Sequence, residues 1–382
     1  MGNKHASKTK YIRRRIGKVN TPLNEKLENV EWGKFSYNVL FKLCAVKNML
    51  TKFSLDDDGK VPVYSSESTN NGIIGYTKNE PEFIVNKENP IYIIFGDHTR
   101  SFNIATDSFC VTDNVKVLSV KEVCSIKVLL CIISSWKKCI PNIGYSRHWS
   151  LAKNIQFNLP ISKNGKIDFE FMENFIADLE TERIKKLEDY LIANGFDNYT
   201  LTAKEKQILK DFKNQKFREF NVIDIFEIEN TKNILSRDII ENSGKTPYLC
   251  ASTENNAISS YISYNEKYLD KGNCVFIGGK TFVVTYQEKD FYSNDSHNLA
   301  LYFKNNITKL NQLFLVTCIN KSLGHKYSWG NSISKAKIQS DKVSLPIKEN
   351  QPNYELMETL ISAIQKLVIK DVVLYVNNKI NG

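Results

Sequence analysis

Residues 159–173 read LPISKNGKIDFEFME, and residues 345–358 read LPIKENQPNYELME. Both stretches begin with Leu-Pro-Ile, carry an Asn shortly afterwards, and end in an aromatic residue followed by Glu-x-Met-Glu. We expect Pro160 and Pro346 to end a strand, and Asp168 and Asn353 to cap the helix that follows. The chain therefore repeats a strand-to-helix junction, and this repeat decides its organisation.

The repetition extends far upstream of the two junctions. At an offset of 185 residues, Phe35, Pro62, Asn70, Asn71 and Tyr76 match Phe220, Pro247, Asn255, Asn256 and Tyr261. At an offset of 182, Gly96, Thr99, Asp113 and Tyr145 match Gly278, Thr281, Asp295 and Tyr327. Loop insertions between two copies of one fold produce small changes of offset of this kind. The pattern predicts two homologous domains in tandem.

Each copy is predicted to be a mixed α/β domain. Short apolar runs bounded by Gly, Asn and Asp indicate strands, and longer apolar runs indicate helices. The predicted strands are 61–64, 91–95 and 115–120 in the first copy, and 248–250, 274–277 and 282–286 in the second. The corresponding helices are predicted over 123–136 and 307–320.

A long helix is predicted after each Leu-Pro-Ile, over 168–194 and from 353 onwards. Each has one continuous apolar stripe and a charged outer face. The matching stripes favour an antiparallel coiled-coil pair in a pseudo-two-fold symmetric chain, and the alternative is that each helix packs on its own domain. Thr202 and Glu205 have capping-box spacing, which predicts a shorter helix leading to the second domain.

Composition supports a globular protein with two cores. The chain has 382 residues, 42% of them apolar and 25% charged. Its best apolar run, Val128–Ile133, falls far short of the roughly 20 residues that a membrane span needs. Eight scattered cysteines lack the spacing of a zinc site and indicate reduced thiols. We expect a cytoplasmic protein without a membrane anchor, a metal or a cofactor.

Positive charge is concentrated at the N-terminus. Of the net charge of +10, residues 4–18 contribute +7 and leave only +3 for the rest of the chain. Such an arm is either a disordered tail or an electrostatic anchor for phosphate. Under the second interpretation, Arg13, Arg14 and Arg15 would contact a nucleic-acid backbone.

These features together predict five segments. They are a basic N-terminal arm (1–29), a first α/β domain (30–165), a first helical spacer (166–215), a second α/β domain (216–352) and a second helical spacer (353–382).

Several phrases resemble a known family. They are Phe95-Gly96-Asp97-His98-Thr99-Arg100, the stretch 62–76 with its Asn70-Asn71-Gly72, and the doubled Leu-Pro-Ile junction. Their order and duplication, over roughly Trp32–Tyr375, resemble the specificity subunits of type I restriction–modification systems and their close relatives.

The resemblance implies a function in DNA recognition. Such a subunit has two target-recognition domains, and each domain reads one half of a split site in double-stranded DNA. Two DNA adenine methyltransferase subunits assemble on it, with restriction (motor-nuclease) subunits where the system also cleaves. A helix over 168–194 would be about 40 Å long at about 1.5 Å per residue. This is close to the roughly 34 Å of one DNA turn.

Loops that differ between the copies are the first candidates for reading DNA. Next to Gly96 and Gly278, we expect contacts from His98, Thr99 and Arg100 in the first copy and from Lys280 and Thr281 in the second. A second loop offers Arg147 and His148 in the first copy, and Tyr327 and Trp329 in the second. His98 has the alternative of an internal hydrogen bond. The doublets Asn70-Asn71 and Asn255-Asn256 could pair with adenine, and their alternative is to form turns.

Catalysis by this chain is not expected. Asn89-Pro90-Ile91-Tyr92 is similar to the Asn-Pro-Pro-Tyr signature of adenine methyltransferases but departs from it at the third residue. No Gly-rich loop follows an early strand to hold S-adenosylmethionine. The alternatives to a non-catalytic specificity subunit are a tandem-domain scaffold that binds protein without DNA specificity, and a chain with its own adenine methyltransferase activity.

Overall fold

The computed structural model describes residues 22–305 and 307–381. The chain divides into two compact units between Lys186 and Leu187, called unit 1 and unit 2 below. Residues 1–21 of the predicted basic arm, with Arg13, Arg14 and Arg15, lie outside the described residues, and the rest of the arm forms a helix, Pro22–Asn29. Among the described residues, no helix combines the length and the hydropathy that crossing a membrane requires.

Unit 1 is built from short strands and a few helices. Its strands are β1 (Glu31–Ser36), β2 (Phe41–Cys44), β3 (Met49–Leu50), β4 (Val61–Tyr64), β5 (Ile73–Thr77), β6 (Tyr92–Gly96), β7 (Phe102–Ala105), β8 (Cys110–Thr112), β9 (Val115–Val120) and β10 (Gln156–Ile161). Its helices are α1 (Pro22–Asn29), α2 (Tyr37–Leu40), α3 (Ile126–Cys139), α4 (Trp149–Ala152) and α5 (Phe169–Ala193), the last of which continues into unit 2.

The strands of unit 1 form two four-stranded sheets and one pair. One sheet has the antiparallel order β2-β9-β6-β7. The other has the order β3-β8-β4-β5, with β8 parallel to both of its neighbours. The strands β1 and β10 pair antiparallel.

The central strand β6 separates two cores. Ile93 and Phe95 belong to the cluster that includes Trp136 of α3, whereas Tyr92 and Ile94 belong to a cluster that includes residues of the second sheet. A strand covered on both faces has a continuous apolar sequence rather than an alternating one. This explains why the run at 91–95 indicates a strand so clearly.

Unit 2 has the same kinds of elements in the same order. Its strands are β11 (Phe217–Asn221), β12 (Phe226–Asn230), β13 (Thr246–Leu249), β14 (Ile258–Ile262), β15 (Cys274–Gly278), β16 (Val283–Gln287), β17 (Tyr292–Ser293), β18 (Leu299–Phe303), β19 (Lys342–Lys348) and β20 (Gln351–Pro352). Its helices are α6 (Ala203–Asp211), α7 (Val222–Ile225), α8 (Lys309–Leu323), α9 (Lys335–Ile338) and α10 (Tyr354–Asn381).

The topology of unit 2 repeats that of unit 1, except that its second sheet has no counterpart of β3 and that β20 extends its β11-β19 pair. Its main sheet has the order β12-β18-β15-β16, and its second sheet has the order β14-β13-β17. Val275 and Ile277 of β15 belong to the cluster of α8, while Cys274 and Phe276 belong to the cluster on the other face. The central strand is therefore covered on both faces here as well. The shared strand order confirms the predicted tandem of homologous α/β domains.

The repeated junction joins the last strand of each domain to its long helix. Pro160 and Pro346 lie inside β10 and β19 rather than ending them, so that expectation was wrong. A proline fits there because its carbonyl stays available although its nitrogen has no hydrogen. These carbonyls accept the backbone N–H groups of Asp168 at 2.9 Å and Asn353 at 2.8 Å.

Asp168 and Asn353, whose N–H groups form these bonds, also cap the helices as predicted. Asp168 Oδ1 accepts the N–H of Phe171 at 2.8 Å, and Asn353 Oδ1 accepts the N–H of Leu356 at 3.1 Å.

The first turn of each long helix packs on its own domain. Met172 of α5 belongs to the core of unit 1, and Met357 and Leu360 of α10 belong to the core of unit 2. This agrees, for these turns, with the alternative that each helix packs on its own domain. Antiparallel pairing of the two helices stays a prediction.

The short helix α6 is fixed to α10 by a buried carboxylate. Thr202 and Glu205 form the predicted capping box. Glu205 also accepts hydrogen bonds from Ser362 Oγ at 2.7 Å and Lys366 Nζ at 2.9 Å. Burial by itself raises the pKa of this carboxyl, but the bonds from Thr202, Ser362 and Lys366 outweigh it and lower the pKa to about 2.

Glu205 is expected to make the stability of unit 2 depend on pH. Because its pKa is lowered on folding from the ordinary 4.5, its contribution is complete above pH 4.5 and is lost as the pH falls towards 2. In urea unfolding at pH 7, Glu205→Gln is expected to be less stable than the wild type. The difference should shrink steadily between pH 4.5 and 2. Asp371→Asn, which removes an exposed carboxylate from α10, is the control, and equal pH profiles for Glu205→Gln and the wild type would refute the prediction.

Candidate nucleic-acid interface

The turn between β6 and β7 is narrow because a glycine lets other residues approach. A Cβ at Gly96 would meet Ser101 Oγ at 2.3 Å and Ser66 Oγ at 2.9 Å. The left-handed backbone falls on Arg100, with φ at 56°, and the Arg100 N–H donates to the Gly96 carbonyl at 2.9 Å. The glycine is therefore needed for close approach, and Arg100 makes the turn. One guanidinium nitrogen of Arg100 donates to the Ile140 carbonyl at 2.7 Å.

Two predicted site residues tie this turn to a neighbouring loop. Thr99 Oγ1 donates to the Ser66 carbonyl at 2.6 Å, and Thr281 Oγ1 donates to the Ala251 carbonyl at 2.8 Å in unit 2. The same internal bond in both units shows that the two threonines serve the shared fold.

His148 lies in the interior of unit 1, with 0% of its surface exposed. Its Nδ1 donates to the Asp97 carbonyl at 2.9 Å, because Nε2 accepts the backbone N–H of Ile143 at 3.2 Å. The Asp97 carboxylate accepts the N–H of Trp149 at 2.7 Å. His148 and Asp97 therefore join the two recognition loops from inside. Contrary to the sequence-based expectation, neither ring nitrogen of His148 is left to face DNA.

The asparagine doublets form turns in both units. Asn70, Asn71, Asn255 and Asn256 all have φ between 46° and 54°. The Nδ2 groups of Asn70 and Asn255 donate to the carbonyls three residues ahead, both at 3.0 Å. Those of Asn71 and Asn256 donate to the carbonyls of Ile104 and Tyr286, both at 3.0 Å. The turn-forming alternative therefore describes these residues.

The remaining candidates of unit 1 surround an open cleft of about 670 Å³. The cleft is lined by the segment 49–52, by 65–67 after β4, by His98 and Thr99, by 112–114 and by Tyr145. The His98 ring stacks on Tyr145, with centroids 4.5 Å apart and an angle of 6° between the planes. Arg147 is exposed, and its guanidinium donates to Asn114 Oδ1 at 3.3 Å. His98 thus lines the cleft, and Arg147 contacts Asn114, which also lines it.

Tyr145 is the site residue that sequence reasoning missed. It is 86% exposed beside the cleft. Its counterpart Tyr327 was among the expected contacts of the second copy, whereas the loop of the first copy was expected to act through Arg147 and His148. Its position among Gly144, Ser146 and Arg147, which form a polar loop, was the signal for exposure.

In unit 2, Lys280 belongs to a charged cluster. Its Nζ lies 3.0 Å from Asp295, which also accepts from His297 Nδ1 at 2.8 Å. Partial burial alone raises the pKa of Asp295, but the bonds from His297 and Lys280 lower it to about 2. Trp329 is 77% exposed.

Tyr327 faces the interior of unit 2. Its ring stacks on Phe282, and its hydroxyl donates to Asp341 Oδ2 at 2.5 Å. Burial, and then the neighbouring Asp341, raise the pKa of Tyr327. Lys326 Nζ lies 3.1 Å from the same carboxylate. Tyr327 thus holds the loop that presents Trp329, which differs from the direct DNA contact expected from the sequence.

Removal of this buried hydroxyl is expected to loosen the loop. Tyr327→Phe should lower the free energy of unfolding by about 1–3 kcal/mol, because Asp341 loses a donor in a buried place. Trp329→Ala on the same loop is the control and should change stability little, since its side chain is exposed. Both values are measured by urea unfolding. Equal stability of Tyr327→Phe and the wild type would contradict the role given to Tyr327.

The methyltransferase-like segment leads into a buried strand. Tyr92 is the first residue of β6, is largely buried, and donates its hydroxyl to the Ile84 carbonyl at 3.3 Å. It is therefore not placed to stack on an extruded base. The eight cysteines are free thiols. Within 22–305 and 307–381, no group of three or more His, Cys, Asp or Glu side chains is arranged to hold a metal ion.

The family model of the Type I restriction modification DNA specificity domain matches this chain twice, over residues 29–189 and 214–374. The chain therefore belongs to this family and contains two of its domains. The predicted family and the predicted fold class of two tandem mixed α/β domains are confirmed. DNA target recognition, which the sequence predicted, is the function that the family description names.

Individual relatives agree with this assignment. Specificity subunit S.BcgI of a type II restriction enzyme from Heyndrickxia coagulans is 26% identical over 151 residues, which are 39% of this chain and 44% of that protein. The match thus spans less than half of the relative.

One solved structure supports the fold. The S subunit of a type I restriction–modification system from M. genitalium has a TM-score of 0.58 and 15% identity, over 92% of this chain and 93% of that one. The HsdS subunit from Thermoanaerobacter tengcongensis has a TM-score of 0.31 and 11% identity, over 91% of each chain.

Proposed function

We propose that this chain is the non-catalytic specificity subunit of a restriction–modification complex, and that it reads a bipartite sequence in double-stranded DNA. The observation behind the proposal is the doubled topology, in which two units have the same strand order but different side chains in the same loops. The shared strand order places equivalent loops at equivalent positions in the two units, while the different side chains give each unit its own base preference.

The exposed side chains of the equivalent loops are the proposed contacts. Where unit 1 has His98 and Arg147, unit 2 has Lys280 and Trp329. Arginine and lysine bind phosphate or guanine edges, and aromatic rings stack on bases. Arg100 adds the part of its guanidinium that does not bind Ile140. The arm residues Arg13, Arg14 and Arg15 are proposed to bind phosphate without regard to sequence.

The methyltransferase subunits are proposed to dock on the helical segments. The helix α10 presents a row of exposed apolar side chains at helical spacing, which is the form of surface that receives a partner helix. The row consists of Ile364, Leu367, Val368, Val372, Tyr375 and Ile380. Two DNA adenine methyltransferase subunits, and restriction subunits where the system cleaves, would complete the complex in the cytoplasm. The long helices would act as spacers, and α5 alone, with 25 residues, is about 38 Å long.

Selection from random DNA tests the proposal. The full chain with its cognate methyltransferase subunits is incubated with a pool of random duplexes, and bound DNA is sequenced after washing at rising salt. We expect enrichment of two short motifs at a fixed separation, and adenine methylation at that motif in a host that carries the genes. Binding without enrichment of any split motif would favour the protein-binding scaffold.

A further inference from the structure

Unit 1 carries an aromatic side chain that nothing in the unit covers. Phe53 lies in a single 3₁₀ turn, Lys52–Ser54, and is 100% exposed. The turn is held in place, because the Ser54 N–H donates to the Thr51 carbonyl at 3.0 Å and Leu55 packs on Gly75 of β5. A fixed turn that presents a large ring to solvent forgoes the roughly 1.5–3 kcal/mol that burial of the ring contributes. The ring is therefore available for binding.

The same turn in unit 2 presents a cation instead. It spans Ser236–Asp238 and places Arg237 at the position of Phe53. The Arg237 side chain is exposed and lies 3.7 Å from Asp238. The two units thus each have a three-residue 3₁₀ turn here, and the two turns differ in the chemistry of the middle residue.

The cleft described above begins at the residue next to Phe53. Its lining includes Lys52 and, from other loops, the stacked pair of Tyr145 and His98. One face of Tyr145 is covered by His98, and most of the side chain is open to solvent. An aromatic ring supported from behind is a platform for the face of a base, whatever the sequence.

The charges of the cleft favour a base over a phosphate. Glu67 and Asp113 are in its lining together with Lys52, so negative groups outnumber positive ones. A phosphate would be repelled, whereas carboxylates accept hydrogen bonds from the amino group of cytosine or adenine. A cleft of about 670 Å³ lies within the range of small-molecule pockets, which run from roughly 300 to 1,000 Å³.

We propose that the cleft of unit 1 binds one unstacked, amino-bearing base of its half-site, an adenine or a cytosine. Tyr145 stacks on the base, Glu67 and Asp113 accept from its amino group, and Phe53 fills the space left in the duplex. An apolar wedge at a base step and a pocket for the displaced base are the two parts that unstacking requires. Unit 2, with Arg237 at the wedge position, reads its half-site without unstacking. This inference rests on the proposed DNA-reading function.

Duplexes with a weakened base pair provide the test. The complex with methyltransferase subunits is titrated with the selected duplex. The duplex is either fully paired or carries one mismatch in the first half-site, at a position other than the methylated adenine. Phe53→Ala and Tyr145→Ala should each weaken binding to paired DNA at least about 5-fold, the lower end of a base–aromatic contact. A mismatch at the unstacked base should restore the affinity of Phe53→Ala to within about 2-fold, because the wedge is then no longer needed.

The base opposite the unstacked one gives a second readout, because it loses its pairing partner. A carbodiimide that modifies only unpaired thymine and guanine should modify this base with the wild type and leave it unmodified with Phe53→Ala. Glu67→Gln should relax the preference for an amino-bearing base there. Val123→Ala, an exposed apolar residue of unit 1 outside the cleft lining, is the control and should behave as the wild type in every assay.

Two failures are distinguishable. If the wild type selects a split sequence but Phe53→Ala and Tyr145→Ala bind as tightly and no base of the first half-site other than the partner of the methylated adenine becomes reactive to the carbodiimide, the cleft proposal is wrong and the DNA-reading function stands. If the wild type selects no split sequence, both fall.

Discussion

Exchange of residues 54–160 for the matching segment of another specificity domain is expected to change one half of the target and leave the other half intact. Each unit has its own cores and sheets, and the exchanged segment contains the lining of the cleft of unit 1 apart from residues 49–52. Each wrong base pair costs about 1–3 kcal/mol, so three altered positions would abolish binding to the original site at ordinary concentrations. The methylated motif, read by sequencing of modified bases in the host, provides the measurement.

Exchange of the equivalent segment of unit 2 is the matched control and should alter only the other half. The proposal that the two units read DNA independently would be refuted by a single exchange that altered both halves of the target. A protein that folds and is expressed but methylates the original motif would show that residues 54–160 do not determine the sequence read.

Trp136→Ala is expected to destabilise unit 1 strongly and to weaken its half of the recognition. The indole is completely buried, stacks near Phe41 and Phe157, and donates from Nε1 to the Ala152 carbonyl at 3.0 Å. Loss of a buried Trp costs about 3–5 kcal/mol, a large part of the stability of an ordinary domain. Chemical denaturation monitored by circular dichroism should show an earlier transition for unit 1.

Leu130→Ala tests the same helix at an exposed position. It should change the transition by well under 1 kcal/mol, as surface substitutions usually do. The transition of unit 2 serves as an internal reference, because its core does not include Trp136. If Trp136→Ala unfolds at the same denaturant concentration as Leu130→Ala, the packing described for unit 1 is wrong.

Elements whose pattern is local were predictable from the sequence. The bounds of β4 and β9 were predicted to the residue, because turn-forming residues flank short apolar runs. The strand β10 was misread at Pro160, since only its pairing with β1 shows that a proline is tolerated there. Such pairing is a tertiary fact that no local pattern contains.

The site was less predictable than the fold. Comparison of the copies singles out loop residues that differ, and this selected His98, Arg147, Lys280 and Trp329, which stay proposed contacts. It also selected His148, which differs from its counterpart because it fills an internal space. A residue that differs between the two copies can lie on the surface or in the interior, and only its burial in the structure distinguishes these two cases.

The hydrogen bond from the capping residue of each long helix to the proline carbonyl of the preceding strand bears on how such chains diversify. The same strand-to-helix connection occurs at Pro160 and at Pro346, so a domain that ends in this connection begins its long helix in the same way. Genetic recombination at these points would join a domain from another chain to the long helix and would keep the same strand-to-helix connection. New DNA targets would then arise by exchange of whole domains rather than by gradual substitution of residues.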